Sequence, residues 1–196
     1  MVQSRIVVAV ESTVESKKLK DKLQKAGHLV IGQVHDAKEA LRVTFQTNPE
    51  LVILDASLPD YGGLGVAQVI DEHRMCPVIL IASEVSDIVQ RARQGWLLSY
   101  LLFPYTDDEL YLATEVAIAN FQRLVALERE NTRLKNNLES RKLVDRAKGL
   151  LMDHKQLNEQ EAYKYLQRLS MDHAKPIARI ARQVIEQLAG AGKTGK

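Results

Sequence analysis

Over the first 120 residues the hydrophobic pattern switches repeatedly between two forms. Five short, nearly continuous apolar runs stand out: RIVVAV (5–10), LVIGQV (29–34), ELVILD (50–55), PVILIA (77–82) and YLLF (100–103). Runs of this length, rich in Val, Ile and Leu, predict strands. Amphipathic stretches of about three turns lie between them. Leu19, Leu23 and Ala26 share one helical face, as do Ala37, Ala40, Leu41 and Thr44. Leu64, Ala67, Val69 and Ile70 do so more loosely. Strands that alternate with helices predict a doubly wound, five-stranded parallel sheet covered on both faces. Chemistry in such α/β sheets gathers at the carboxyl ends of the strands. Those ends carry Val10 and Glu11, Asp55, Ala82 and Ser83, and Phe103 with Pro104.

The pattern then becomes helical from Asp107 to about Lys155, with no Pro or Gly in residues 105–148. A helix over those residues would be roughly 60 Å long. Within it Leu124, Leu127, Asn131, Leu134 and Leu138 follow one another at intervals of 3, 4, 3 and 4, until Arg141 breaks the rhythm. This a/d spacing predicts a coiled-coil seam in a homodimer, and Asn131 sits at an a position where a polar residue fixes register. A single amphipathic helix packed on its own domain is the alternative.

Three helical faces close the chain. Leu143, Val144, Ala147, Leu150 and Leu151 form the first, on the end of the long helix. Ala162, Tyr165, Leu166 and Leu169 form the second, preceded by Asn158 and Glu161 in capping-box spacing. Ile177, Ile180, Ala181, Val184, Ile185 and Leu188 form the third, with Pro176 expected in its first turn and Gly190 at its end. A small three-helix bundle follows. The expected organisation is therefore a sheet domain (1–120), a coiled-coil helix (121–142), the bundle (143–190) and a flexible tail (191–196).

Charge divides the chain in two. Residues 141–196 hold twelve Lys/Arg against six Asp/Glu, whereas residues 1–140 hold fifteen against nineteen. A basic end invites a polyanion. A single cysteine, Cys76, excludes an intrachain disulfide and fits a reducing cytoplasm. The first apolar run is too short for a signal or membrane segment, so a cytoplasmic protein without a membrane partner is expected. His154 and His173 lack metal-ligand company and read as loop residues. With no nucleophile–base pair in view, an enzyme is the least favoured class.

The stretch PELVILDASLPDYGGL (49–64), with KLQKAGHLVIGQVHDAKEAL (22–41) in the right place, resembles response-regulator receiver domains. The resemblance covers residues 5–120 and makes Asp55 the phospho-acceptor position. Receivers take a phosphoryl group from a histidine kinase, with Mg²⁺ held by neighbouring carboxylates. Such a phosphoryl group needs cations and hydroxyls around its oxygens. Receivers supply an acidic pair after strand one, a Ser/Thr after strand four and a Lys after strand five. Here those positions are Val10 with Glu11 as the acidic remnant, Ala82 with Ser83 beside it, and Phe103. The loss is concerted, and it points to a pseudo-receiver with no expected cofactor. The Mg²⁺ implied by the family has lost one of its carboxylates. Asp55 is then read as a strand-end carboxylate capping a loop or making a local ion pair. Such a domain would act as a dimer scaffold, or bind a partner protein or small ligand at the face around the fifth strand, near which Trp96, Leu97, Leu98 and Tyr100 lie; Leu98 and Tyr100 read first as ordinary core. A phosphorylation-activated regulator of RNA or DNA, signalling from a sensor kinase through Asp55, is the alternative.

Residues 138–186 resemble the ANTAR domain, the RNA-binding output module of antiterminator response regulators. AKGLLM (147–152), EQEAYKYLQRLS (159–170) and IARQVIE (180–186) carry the match, and Pro176 departs from the usual pattern. The resemblance implies dimeric binding of paired hairpins in leader RNA, which keeps a terminator hairpin from forming and so acts on RNA polymerase indirectly. Lys/Arg at 146, 148, 164, 168, 175, 179 and 182 interleave with the apolar stripes and suit phosphates, and Tyr163 suits an unpaired base. Lys148 beside Gly149 is the first choice, because a helix-interior glycine costs about 1 kcal/mol against alanine. Close approach of RNA or of a neighbouring helix would explain it. Arg168, Ser170, Lys175 and Arg179 come next. Two rivals remain: a DNA-binding helical output, and an interaction protein that binds no nucleic acid. The connections DHKQLN and SMDHAK are longer than a helix-turn-helix turn or lack its Gly, which counts against the first.

Overall fold

A computed structural model of the chain describes residues 3–60, 62–84 and 98–191, with 98 and 189–191 as backbone alone. Strands β1 (Arg5–Ala9), β2 (Leu29–Val34), β3 (Leu51–Asp55), β4 (Val78–Ala82) and β5 (Leu98–Leu102) form one sheet in the order β2-β1-β3-β4-β5. Every pairing is parallel. The helices are α1 (Thr13–Lys25), α2 (Ala37–Thr47), α3 (Gly62–Glu72), α4 (Asp107–Lys155), α5 (Glu159–Asp172) and α6 (Ile177–Ala191). Trp96 and Leu97 lie outside the described residues, as do residues 192–196 of the expected tail.

Successive residues of a strand point to opposite faces of a sheet, and the two apolar clusters follow that rule. Val7, Ala9, Val52, Leu54, Val78 and Leu80 face one cluster, closed by Ala37 and Ala40 of α2 and by Val66, Ala67 and Ile70 of α3. Ile6, Val8, Ile53, Ile79, Ile81 and Leu101 face the other, closed by Leu19 and Leu23 of α1 and by Leu110 and Ala117 of α4. On α3 the buried face is Gly63, Val66, Ala67 and Ile70. It sits one position away from the Leu64/Val69 stripe expected, because Val66 and Gly63 turn to the sheet.

Caps fix where the helices begin. The Ser12 hydroxyl accepts from the Glu15 N–H, and Asp36 accepts from that of Glu39. Thr106 and Glu109 exchange bonds at the start of α4. The Thr106 N–H and hydroxyl hold the Glu109 carboxyl below its ordinary pKa. Asn158 and Glu161 form the expected capping box on α5.

The chain divides into two compact units, residues 1–125 and 126–196. The second has its own core of Ala147, Leu151, Ala162, Leu166, Ile180, Ala181, Val184 and Ile185, drawn from α4, α5 and α6. Pro176 lies just before α6, and its carbonyl accepts the Arg179 and Ile180 N–H groups. It therefore caps the helix from outside its first turn. The helix continues through Gly190 to Ala191, past the expected stop. His154 belongs to the last turn of α4, and His173 is the C-cap of α5. Among the described residues, no helix is long and apolar enough to cross a membrane.

Candidate functional sites in the two units

The carboxyl ends of β1, β3, β4 and β5 meet at a cavity of about 120 Å³. Asp55, Val10 and Phe103 line it together with Tyr105, Lys18 and Lys22. Of the expected positions, Val10, Asp55, Phe103 and Pro104 meet here, whereas Glu11, Ala82 and Ser83 are not among the lining residues, and Glu11 is exposed. Val10 is 3% exposed and belongs to the apolar cluster under α1. Ala82 is buried, and Ser83 is exposed. Phe103 is 49% exposed, and its ring meets that of Tyr105 edge-on at 6.1 Å. Asp55 Oδ1 accepts the Ser57 N–H at 2.9 Å and the Ser57 hydroxyl at 2.7 Å, so this carboxylate caps its own loop.

Two lysines of α1, which sequence reasoning missed, also reach this cavity. Lys22 is engaged already: its Nζ lies 2.6 Å from Asp107 and 5.2 Å from the Tyr105 ring centre. Burial pushes the Tyr105 hydroxyl above its ordinary pKa, and the charges of Glu15, Asp55 and Asp107 add to the rise. The cavity thus carries both signs of charge, with Glu15 and Asp55 lining it beside Lys18 and Lys22. The donor set does not fit a receiver Mg²⁺. The Val10 side chain offers no oxygen and its carbonyl is taken by His35, one Asp55 oxygen is held by Ser57, and no group of three His, Cys, Asp or Glu among the described residues is placed to share an ion.

In the helical unit the expected RNA residues have different fates. Lys148 is 16% exposed along its side chain, and its Nζ lies 2.8 Å from both Asp145 and Glu159. Those hydrogen bonds push its pKa up to about 12. Its charge thus joins α4 to α5. Gly149 is exposed, and a methyl added there would meet no described atom within 4 Å beyond the backbone of its own helix. A neighbouring helix of the same chain is therefore not the reason for this glycine. Ser170 donates to the Lys175 carbonyl at 2.5 Å and fixes the α5–α6 turn. Arg168 and Arg179 are exposed. Tyr165 packs on the core, with Lys155 Nζ 4.2 Å from its ring centre.

Two adjoining clefts open on this unit. One, of about 310 Å³, is lined by Tyr163, Arg141, Ser140, Val144, Ile177 and the Asp145–Lys148 pair. The other, of about 330 Å³, has Arg179 and Arg182 on its wall and shares Ser140. On α4 the coiled-coil positions are open: Leu127, Leu134 and Leu138 are 62%, 58% and 54% exposed. Asn131 is exposed and Leu124 half-buried.

Comparison with known proteins gives a consistent answer for both units. Residues 6–115 match the response regulator receiver domain, and residues 132–185 match the ANTAR domain. The transcriptional regulatory protein PdtaR of Mycobacterium tuberculosis is 35% identical over 188 residues, covering 95% of this chain and 92% of that one. Among solved structures, the signal receiver domain of NarL from Mycobacterium tuberculosis aligns with a TM-score of 0.55 at 23% identity, over 61% of this chain and 98% of that one. The response regulator PhyR from Brucella abortus aligns with a TM-score of 0.59 at 18% identity, over 66% of this chain and 54% of that one.

Proposed function

The chain belongs to the response regulators that join a receiver domain to a C-terminal ANTAR domain, and from that premise we propose that it is a cytoplasmic transcription antitermination regulator. It binds hairpins of leader RNA as a homodimer, and a competing terminator hairpin is thereby held off. Residues 143–190 act as the RNA module, 121–142 as the dimer seam, and 1–120 as the controlling domain. The observation that carries the RNA reading is the set of exposed arginines at 168, 179 and 182, none paired with a carboxylate among the described residues. Lys175 joins them at the turn that Ser170 fixes. A dimer would present two such modules to paired hairpins and gain avidity from their effective concentration.

Exposed leucines at 127, 134 and 138, seven and four residues apart, support the dimer, since an apolar seam of this kind is stable when a second copy covers it. The receiver-like unit is assigned a role without aspartyl phosphorylation, because Val10, Ala82 and Phe103 remove a metal ligand, a hydroxyl and a cation together. Control then falls to a protein or small ligand. One observation favours the other reading, phosphorylation of Asp55 by a kinase: Lys18 of α1 faces the same cavity and carries no ion pair among the described residues.

Selection of bound transcripts, followed by terminator read-through on the best one, tests the function. Read-through should rise with the protein present. Binding should weaken about tenfold or more between 50 and 200 mM salt, as several phosphate contacts require. Preference for duplex DNA would sink the proposal. Acetyl phosphate should leave Asp55 unlabelled; stoichiometric Mg²⁺-dependent labelling with tighter dimerisation would establish the second reading instead.

A further inference from the structure

We propose that the cleft between α4 and α5 holds one unpaired RNA base, stacked on Tyr163, while the adjoining cleft holds that nucleotide's phosphate against Arg179 and Arg182. The inference rests on the RNA reading above and adds where one nucleotide sits and which residues hold it.

The first cleft has the surfaces that a base needs. Tyr163 is 45% exposed and offers a ring face, and Val144 and Ile177 supply an apolar floor. At about 310 Å³ the cleft lies at the lower end of small-ligand pockets, which span roughly 300–1,000 Å³. Its rim is polar: Ser140 offers a hydroxyl and Arg141 a guanidinium. Arg141 is exposed and makes no ion pair among the described residues. A base buried by stacking still needs donors and acceptors at its edge, and these two side chains can serve it.

The second cleft has the complementary character. Arg179 and Arg182 lie one turn apart on α6, both exposed and unpaired among the described residues. Two free guanidinium groups on one wall suit a phosphate, and Glu139, which also lines the cleft, is engaged by Lys142 at 2.9 Å. Ser140 lines both clefts, so the aromatic site and the arginine site are neighbours. A nucleotide has this same division, with a flat base next to an anion. The arrangement also accounts for the break in the leucine spacing. Arg141 falls where the next seam leucine belongs, and its side chain lines the base cleft instead.

The test uses the full chain and a pool of stem–loop RNAs with randomised loops. The best binder is then rebuilt with an abasic site at each loop position in turn. One abasic position should weaken binding by wild type about tenfold, the usual scale of a lost stacking contact. Tyr163→Ala should cost about as much on the intact RNA, and that abasic site should then cost nothing further. Tyr163→Phe should stay within about threefold. Arg179→Ala with Arg182→Ala should reduce the salt slope but leave the same abasic position critical. 2-Aminopurine at that position should change fluorescence on binding wild type, and an unchanged signal overturns the cleft, a readout that holds if Tyr163→Ala fails to fold. Enrichment of hairpins with Tyr163→Ala within twofold, or with additive abasic losses, overturns the cleft and leaves the RNA reading standing. Loss of self-association in Tyr163→Ala would make the cleft a protein interface, and overturns it too. Failure to enrich any hairpin over duplex DNA overturns both.

Discussion

At the scale of single residues, the helical unit separates charge that holds the fold from charge that faces outward. Lys148 belongs to the first kind. Its raised pKa means that the pairing stabilises the folded state fully below about 10.5, and that this contribution is lost as pH rises through about 12. Lys148→Met should therefore lower stability at pH 7 by about 1 kcal/mol, the scale of well-placed ion pairs near a surface. The gap to wild type should close as pH approaches 12, as denaturant titrations of both proteins would show. Gly149 is the opposite case. Among the described residues nothing fills the space its methyl would take, so Gly149→Ala should stabilise the fold by about 1 kcal/mol. If RNA approaches the backbone there, the same variant should bind the selected hairpin less tightly while melting higher. Sequence reasoning could find both residues but could not separate them. Lys148 and Gly149 are adjacent in the chain, and only packing against Glu159, eleven positions on, shows which is held internally.

At the scale of elements, most of the fold was legible because the periodicities are clean. Strands buried on both faces read as continuous apolar runs, and α6 carries a stripe that its buried positions follow. Legibility fell where chemistry local to one residue decides the outcome. The Thr106–Glu109 cap was not anticipated, although Thr-x-x-Glu is readable in the sequence. Pro176 was placed one position too far inside its helix. Gly190 was overruled by the helix before it. The α1 lysines at the Asp55 cavity had no signal in the sequence, since their place depends on how α1 crosses the sheet. For α4 the pattern and the exposure agree that a leucine seam is open. Leu127→Glu with Leu134→Glu should convert a dimer to a monomer in sedimentation experiments while far-UV helicity of the bundle persists. Asn131→Leu should tighten self-association and loosen its register, seen as mixed species, because a polar a position trades stability for specificity.

For the whole molecule, the two cores give separate handles on stability. Cys76 is the one thiol of the chain, and burial pushes it to about 12. A maleimide should therefore react only when the sheet unit opens, and its rate should be indifferent to Lys148→Met. Equal acceleration by that variant would mean the units unfold together. The burial of Val10 has a different consequence, which concerns the routes open to this chain under mutation. Phe103 is half exposed, and a lysine could return there at little cost. Ser83 already stands beside Ala82. Asp at position 10, by contrast, would put a carboxylate into an apolar cluster and cost about 2–4 kcal/mol. Phosphate chemistry could be regained at two of its three lost positions with small steps, and at the third only through a destabilised intermediate. On the proposed reading without aspartyl phosphorylation, Val10 would thus act as the tooth of a ratchet.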